Sequence, residues 1–555
     1  MKVRGNTLFG RALAREGVRT AFFLLGGPMN EGISAGDAEG IRMIDVRHEQ
    51  AAAMMAHAYA RVLGRPGVCI ACSGPGTTNL VTGVAGALID CVPLVALGGC
   101  SPLDQLMKGG AFQEIDQVAI MRPVTKWAER VYEARRIPDY IELAFRTALS
   151  GKPGPVYLDF PGDVLFQEAD DEDVEPTTAP TRDVAKPVAT PAAIERLIAL
   201  LREAKRPIVI SGSGILWSQA FEELQHFVET TGIPFYTTPQ GRGVVPEDHV
   251  YFYPHARSAA FKEADLVLVI GTRLNYVISY GQPPRFAESA TFVRIDIDPT
   301  EINQSRRLSL GIVGDAKMVL RQICAEIEGK FDRGCYEPWR GHLATIQSER
   351  QREQEVTLSS DQVPIHALRL CKEIRDFMDR DAILAVDGQE ILNFGRQVLP
   401  TFIPGHRLNS GPFGTMGVGL PFGVGAKAAK PDKQVIVLHG DGSFGMNGME
   451  LDTAVRHKLP ILVVISLNGG WTADTEGQKR IPGKARIGRH LGYTRFDKVA
   501  AALGCYAEFV ERPEEIRPAL ERAGRAVKNG QTALVNVVTD SRARSQTTKF
   551  TNYAT

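Results

Sequence analysis

The chain has 555 residues, 44% hydrophobic and 23% charged, with 64 basic and 64 acidic side chains. This length suits about three domains, the composition is that of a globular protein, and interspersed charges summing to zero exclude a global field for nucleic acid or anionic membrane. No apolar run reaches the roughly 18 residues of a membrane span, the opening Met1-Lys2-Val3-Arg4-Gly5-Asn6 lacks a signal peptide's apolar core, and a cytoplasmic protein is expected.

The first unit, 1–165, alternates strands and helices. Leu8, Leu13 and Ala14 predict a helix over 7–17 that stops at Gly17. Strands are predicted at 18–25 and 41–46, and an alanine-rich helix at 51–63. Glu49 sits where strand hands over to helix, and alone it reads as a helix-start charge. A strand at 68–72 leads into Ser73-Gly74-Pro75-Gly76-Thr77-Thr78-Asn79, a glycine turn opening a helix over 80–90. Such a turn either offers free amides to an anion or simply joins strand to helix. Cys69 and Cys72 have Cys-x-x-Cys spacing, but their buried-strand setting reads as core thiols, and eight cysteines are too few for a disulfide framework. Strands at 93–99 and 153–161 flank a loop, 109–117, dense in polar and aromatic residues. This alternation predicts a parallel sheet covered on both faces.

Residues 166–190, acidic and rich in Pro and Thr, read as a linker. A second unit, 191–330, carries predicted strands at 207–210, 266–270 and 291–298. Gly212 and Gly214 follow the first, Gly271 and Arg273 the second, and Asp296, Asp298 and Asp315 lie at or beyond the third. These suit the phosphates and ribose of a nucleotide; a Rossmann-like domain with an empty site is the other reading. Residues 331–362 predict an exposed crossover helix.

The third unit, 363–540, is organised around Gly440-Asp441-Gly442-Ser443-Phe444-Gly445 and Asn468-Gly469-Gly470. The apolar run 434–439 precedes the first stretch, a helix is predicted over 449–457, and the buried run 461–467 delivers Asn468. A carboxylate and an amide then emerge at one edge of a parallel sheet. With a bare carbonyl and glycines allowing close approach, they suit a hard cation holding a diphosphate; a turn-forming Asp-Gly is the plain alternative. The stretch 411–420 is glycine-dense before a predicted helix, 421–429. The tail 541–555, with Arg542, Arg544 and Lys549 among Ser and Thr, is either frayed or a cationic flap over an anionic substrate.

In this order the motifs resemble thiamine-diphosphate enzymes of the acetolactate synthase and pyruvate oxidase superfamily, over nearly the whole chain. Arg47-His48-Glu49-Gln50-Ala51-Ala52 resembles the activating-glutamate motif, 73–79 the cofactor-facing turn, and Gly440-Asp441-Gly442 with Asn468 the diphosphate and magnesium motif. The resemblance implies an α/β fold of three doubly wound parallel-sheet domains: pyrimidine-binding, central nucleotide-binding and diphosphate-binding. It implies that Glu49 hydrogen-bonds the cofactor's aminopyrimidine, and that Asp441, Asn468 and the Gly470 carbonyl hold Mg²⁺. Ser73, Gly74, Pro75, Gly76, Asn79, Gly414, Thr415, Met416, Gly440, Gly442 and Ser443 would surround the cofactor, with Met416 bending it. Gly469 stands where relatives often have a second asparagine, implying a looser loop. Family cofactors bind between the first unit of one chain and the third of another, so at least a homodimer, usually a tetramer, is implied.

Within the superfamily, 110–117, Arg257-Ser258, 271–276 and 407–417 resemble most the 2-hydroxyacyl-CoA lyase and oxalyl-CoA decarboxylase branch. That implies ADP as a structural nucleotide on Gly212, Gly214, Gly271, Arg273, Asp296 and Asp315, with FAD not expected. It implies an acyl-CoA substrate approaching through Arg257, Ser258, Arg396 and Arg407, with the tail as a lid. The implied reaction is reversible cleavage of a 2-hydroxyacyl-CoA to formyl-CoA and an aldehyde or ketone. Gln113 would be the catalytic polar contact and Phe112 would shape the acyl pocket, favouring lyase over oxalyl-CoA decarboxylase. Acetolactate synthase-type carboligation of 2-keto acids is the enzymatic rival. A degenerate nucleotide-binding scaffold is the non-catalytic one, opposed by the joint presence of Glu49, Asp441 and Asn468.

Overall fold

In the computed structural model, which describes residues 2–172, 174, 184–471 and 488–545, three parallel sheets follow one another along the chain. The first is built from Thr20–Phe23, Arg42–Asp45, Gly67–Ala71, Leu94–Cys100, Trp127–Arg130 and Pro155–Pro161. The third is built from Ile383–Asp387, Arg407–Leu408, Val435–Gly440, Leu462–Leu467, Tyr506–Val510 and Ala533–Val538. Numbered within each domain, both have the spatial order 2-1-3-4-6-5, so the likeness of these two units extends to strand connectivity. The central sheet, Pro207–Ser211, Phe235–Thr237, Leu266–Ile270, Thr291–Asp296 and Leu310–Val313, has the order 2-1-3-4-5. Central strands such as Leu462–Leu467 and Leu266–Ile270 are buried at every position, as unbroken apolar runs covered on both faces require.

In all three sheets the chain reverses its winding between strands 1 and 3. Crevices outside the carboxyl ends of a doubly wound sheet open at that switch point. The turns after Gly67–Ala71, after Val435–Gly440 and after Pro207–Ser211 all lie there.

Several boundaries differ from expectation. The helix expected from 51 is Glu49–Leu63, capped by His48, whose Nδ1 accepts from the Gln50 amide, and ended by Gly64 in the left-handed region. The helix expected from 80 starts at Pro75, because proline fits a first helical position without losing a needed donor. The helix expected over 449–457 is Glu450–Arg456, and a further short helix, Asp441–Asn447, precedes it in place of the expected glycine loop. Within the expected linker, Glu168–Asp170 pairs antiparallel with Lys2–Arg4; of the rest, 173 and 175–183 lie outside the described residues. Cys69 is a core thiol as expected, whereas Cys72 is half-buried in the turn beyond the strand.

The first and third domains share one core. Ala51, Ala52, Met55 and Ala58 of helix Glu49–Leu63 cluster with Leu420, Phe422 and Val424 of helix Gly419–Ala429 and with Val437 and Ile465 beneath. Small residues let these helices approach closely: a Cβ on Gly425 would collide with the Met55 carbonyl and lie 2.9 Å from its Cα. Backbone cannot yield as a side chain can. Gly425→Leu is therefore expected to cost at least the roughly 1–3 kcal/mol of an overpacked core. It should lower the melting temperature by several degrees in a thermal scan, and an unchanged transition would contradict this packing.

Candidate active site

Glu49 is 5% exposed and opens its helix facing the turn that follows Gly67–Ala71. Asn79 Nδ2 donates to its Oε2 over 3.0 Å. Its Oε1 faces Gly76, where an added Cβ would sit 3.4 Å away, so the bare glycine leaves approach room beside that oxygen. Gly74, with φ +58, holds a conformation that only glycine takes at no cost. Ser73 Oγ donates to Gln113 Oε1 over 2.7 Å, which brings the loop residue Gln113 onto the turn. Burial and the neighbouring Glu49 charge raise the Cys72 thiol, so it is protonated at neutral pH. Phe112, expected to shape a pocket, stands 84% exposed in the single chain, held through its carbonyl by Ser101 Oγ.

The second half lies at the matching edge of the third sheet. Asp441 is buried, its Oδ1 accepting from the Gly442 amide at 2.9 Å and its Oδ2 without a partner among the described residues. Asn468 turns its side-chain oxygen to within 2.9 Å of the Gly470 carbonyl and 3.2 Å of Asp441 Oδ1. Three oxygens then converge with no proton among them. Octahedral coordination at 2.0–2.1 Å places neighbouring ligand oxygens about 2.9 Å apart, so this spacing fits a small hard cation. Turned the other way, the amide NH₂ would hydrogen-bond both oxygens. The site is thus satisfied by a cation or by a flip.

Gly469 does not leave this loop loose. Its carbonyl accepts from the Leu491 amide, the Trp471 amide donates to Arg489, and Gly470 bridges to His490. Trp471, which sequence reasoning passed over, lays its indole against Gly442, within 2.7 Å of where a Cβ would be. Ser443 Oγ donates to the Gly440 carbonyl and contacts His439 Nδ1 at 3.1 Å.

Gly414, Thr415 and half-buried Met416 lie on a loop fixed from below by Asp387, another residue the sequence did not single out. Its carboxylate accepts from the Gly388 amide at 2.6 Å and the Gly419 amide at 2.9 Å, and burial pushes it up to about 6. The two halves are joined by a polar seam: Gln50 Nε2 donates to Asn447 Oδ1 at 2.9 Å, and Asn447 Nδ2 donates to the Gly417 carbonyl at 2.7 Å.

Beside the third sheet five arginines gather: Arg242, Arg257, Arg285, Arg396 and Arg407. Glu247 pairs with Arg242, while Arg257, Arg285 and Arg396 form no ion pair among the described residues. Buried Nε atoms of Arg257, Arg285, Arg396 and Arg407 have no hydrogen-bond partner among the described residues. Burial and neighbouring guanidinium groups push Arg257 down to about 9 and Arg396 to about 10. Such a cluster is costly without an anion. Ser258 is exposed next to Arg257.

Gly214, Gly271, Arg273, Asp296 and Asp315 line a cavity of about 810 Å³ between the first and central domains. Gly212 packs behind the wall against Thr272 instead. Asp315 caps the helix Ala316–Ile327, accepting from the Lys317 and Met318 amides, and pairs with Lys186 at 3.2 Å. Of the tail, Ser545 donates its amide to Glu390 Oε2 at 3.0 Å, and 546–555 lie outside the described residues.

Burial pushes the Asp441 carboxyl up to about 6. Cation binding needs the carboxylate, so protons compete below that value. Affinity for Mg²⁺ in the presence of pyrophosphate should fall as pH drops below about 6, by up to about tenfold per pH unit, and level off above. Emission from Trp471, compared with Trp471→Phe, can follow the titration; a pH-independent affinity would contradict the assignment.

Comparison with known proteins is consistent along the whole chain. Residues 3–120 match the model of the thiamine pyrophosphate enzyme N-terminal TPP binding domain, 194–323 its central domain, and 392–537 its C-terminal TPP binding domain. A 2-hydroxyacyl-CoA lyase of Oryza sativa subsp. japonica is 35% identical, covering 98% of this chain and 97% of its own. An acetolactate synthase large subunit of Mycobacterium tuberculosis is 34% identical, over 96% and 95%. An oxalyl-CoA decarboxylase of Escherichia coli is 29% identical, over 99% and 97%. With its three domains matched in order and its relatives covered from end to end, the chain belongs to the thiamine pyrophosphate enzyme family and is an enzyme of the family's lyase and carboligase kind.

Proposed function

We propose that this enzyme is a 2-hydroxyacyl-CoA lyase, reversibly cleaving a 2-hydroxyacyl-CoA to formyl-CoA and an aldehyde or ketone. The observation that carries the reading is the arginine cluster. Clustered guanidinium groups of Arg257, Arg285 and Arg396, without an ion pair among the described residues, suit a polyanionic handle, as the phosphates of CoA provide. A 2-keto acid offers a single carboxylate and needs no such array. The 2-hydroxyacyl-CoA lyase relatives point the same way.

Thiamine diphosphate, when bound, supplies the carbon nucleophile and the electron sink. Glu49 would hold the proton at the pyrimidine ring, with Asn79 fixing Oε2 and leaving Oε1 free for the ring. Asp441, Asn468 and the Gly470 carbonyl would hold Mg²⁺ against the diphosphate. Gln113, oriented by Ser73, offers its remaining polar group to the substrate oxygen. ADP is the proposed occupant of the cavity between the first and central domains, and a second copy of the chain is proposed to complete each site. Acetolactate synthesis is the second reading, favoured by relatives of nearly equal identity.

Incubation with thiamine diphosphate, Mg²⁺ and a panel of 2-hydroxyacyl-CoAs should release formyl-CoA. Acetolactate formed from pyruvate, with no formyl-CoA, would replace the proposal with its rival. Arg396→Ala removes one charge-assisted contact of roughly 1.5–3 kcal/mol. It should raise KM for the CoA substrate by about ten- to a hundredfold while changing kcat far less; an unchanged KM would remove Arg396 from the CoA site. Glu49→Gln should lower kcat by about 10²–10⁴-fold and leave cofactor affinity, measured by calorimetry, nearly intact. Undiminished turnover would refute its role.

A further inference from the structure

Beneath the Ser73–Gly76 turn lies a fully buried glutamine to which nothing above gives a role. Gln117 opens the short helix Gln117–Met121, and its amide is the centre of a buried polar network. Nε2 donates to Asp159 Oδ1 at 2.6 Å and to the Gly99 carbonyl at 2.8 Å, and lies 3.0 Å from Tyr157 Oη. Tyr157 Oη donates to the same Asp159 oxygen at 2.7 Å, and Arg130 Nε donates to Oδ2 at 2.8 Å. Gln117 Oε1 accepts from the Gly74 amide.

The direction of this amide is dictated by its surroundings. An ionised carboxylate and a carbonyl only accept, so both demand the NH₂ end. The oxygen is left for Gly74. Asp159, charge-balanced by Arg130, thereby sets the polarity of the hydrogen bond that reaches the turn. Gly74 in its φ +58 conformation touches Gln113, whose Cβ lies 2.8 Å from where a Gly74 Cβ would stand. Two residues on, Gly76 faces Glu49 Oε1. Fixing one amide therefore fixes the floor between Glu49 and Gln113.

We infer that Gln117 is a positioning residue: its amide, oriented by the Asp159 carboxylate, locks the Ser73–Gly76 turn and through it the relative placement of Glu49 and Gln113. The inference rests on the enzyme class and not on the acyl-CoA substrate, and its first readout needs no turnover.

Two variants of the full-length protein test it. Gln117→Met keeps the size and removes the hydrogen bonds. In the cofactor-free protein, hydrogen exchange at the Gly74 and Gly76 amides should rise by about tenfold or more. In the loaded enzyme kcat should fall by about ten- to a hundredfold, with KM for substrate changing much less. Gln117→Glu restores part of the pattern while the introduced carboxyl is protonated, its single O–H donating to Asp159 and its carbonyl oxygen accepting from Gly74, whereas the Gly99 carbonyl loses its donor. The ionisable groups facing it are Asp159 and Tyr157 on one strand, Arg130 on the next and Cys100 on the third. The adjacent Asp159 charge makes the introduced carboxyl hold its proton above the ordinary range. Turnover relative to wild type should thus be highest near pH 5.5 and fall as pH rises toward about 9. A flat ratio across that range would overturn the inference. So would unchanged exchange and kcat in Gln117→Met.

Discussion

A carboxylate taken out of water must be compensated by protons or cations, and the loops of this site are built around that requirement. Asp387 accepts from the amides of Gly388 and Gly419 and so shapes the loop carrying Met416. Asp441 accepts from Gly442 and leaves its second oxygen without a partner among the described residues, and a cation can satisfy it. Asp159 is balanced by Arg130 and Tyr157, and passes its demand through Gln117 to Gly74. Glu49 accepts one hydrogen bond from Asn79 and keeps one oxygen for a ligand. Glycine is the natural counterpart in each turn, because its bare backbone lets an amide reach an oxygen that a side chain would screen.

Legibility in the sequence followed from where the partners lie along the chain. The three-domain parallel architecture was readable because unbroken apolar runs and glycine turns are local signals, and the motifs at Glu49, Ser73–Asn79, Asp441 and Asn468 lie at strand ends the runs themselves mark. What could not be read depends on distant partners. Glu168–Asp170 looks like linker until Lys2–Arg4, from the other end of the domain, pairs with it. Gln117 is one polar residue in a polar loop, and only the fold sets Asp159 and Gly99 against its amide. Asp387-Gly388 is one of two Asp-Gly pairs in the chain, and no second motif accompanies it as Asn468 accompanies Asp441. Gly212 shows the converse: its pattern fits a nucleotide turn, yet the chain uses it to pack Thr272.

The arginine cluster obeys the same physics with the sign reversed. Arg242, Arg257 and Arg285 come from the central domain, Arg396 and Arg407 from the third, and Glu247 pairs with Arg242 and lies near Arg407. Guanidinium groups so placed repel one another, which burial sharpens. An anion lowers that repulsion by bridging the two domains, so ligand binding and domain docking are linked. The carboxylate turns confer their order within a domain; the arginines leave an order that a ligand completes.

One helix connects these places. Pro75–Asp90 begins at the turn that Gln117 holds and ends against the other two domains. Its sixteen residues span about 24 Å. At its far end Arg273 of the central domain donates to the Ile89 carbonyl, and Gly411, at the start of the Met416 loop, has room only for a hydrogen beside Asp90. Cys91, the next residue, lines the cavity between the first and central domains. Asp90, pushed up to about 7 by burial, lies 3.5 Å from His57, and Arg61 beside it donates to the Arg407 and Asn409 carbonyls. The helix therefore behaves as a rigid spacer. Its two ends tie the turn facing Glu49 to the start of the Met416 loop and to the wall of that cavity.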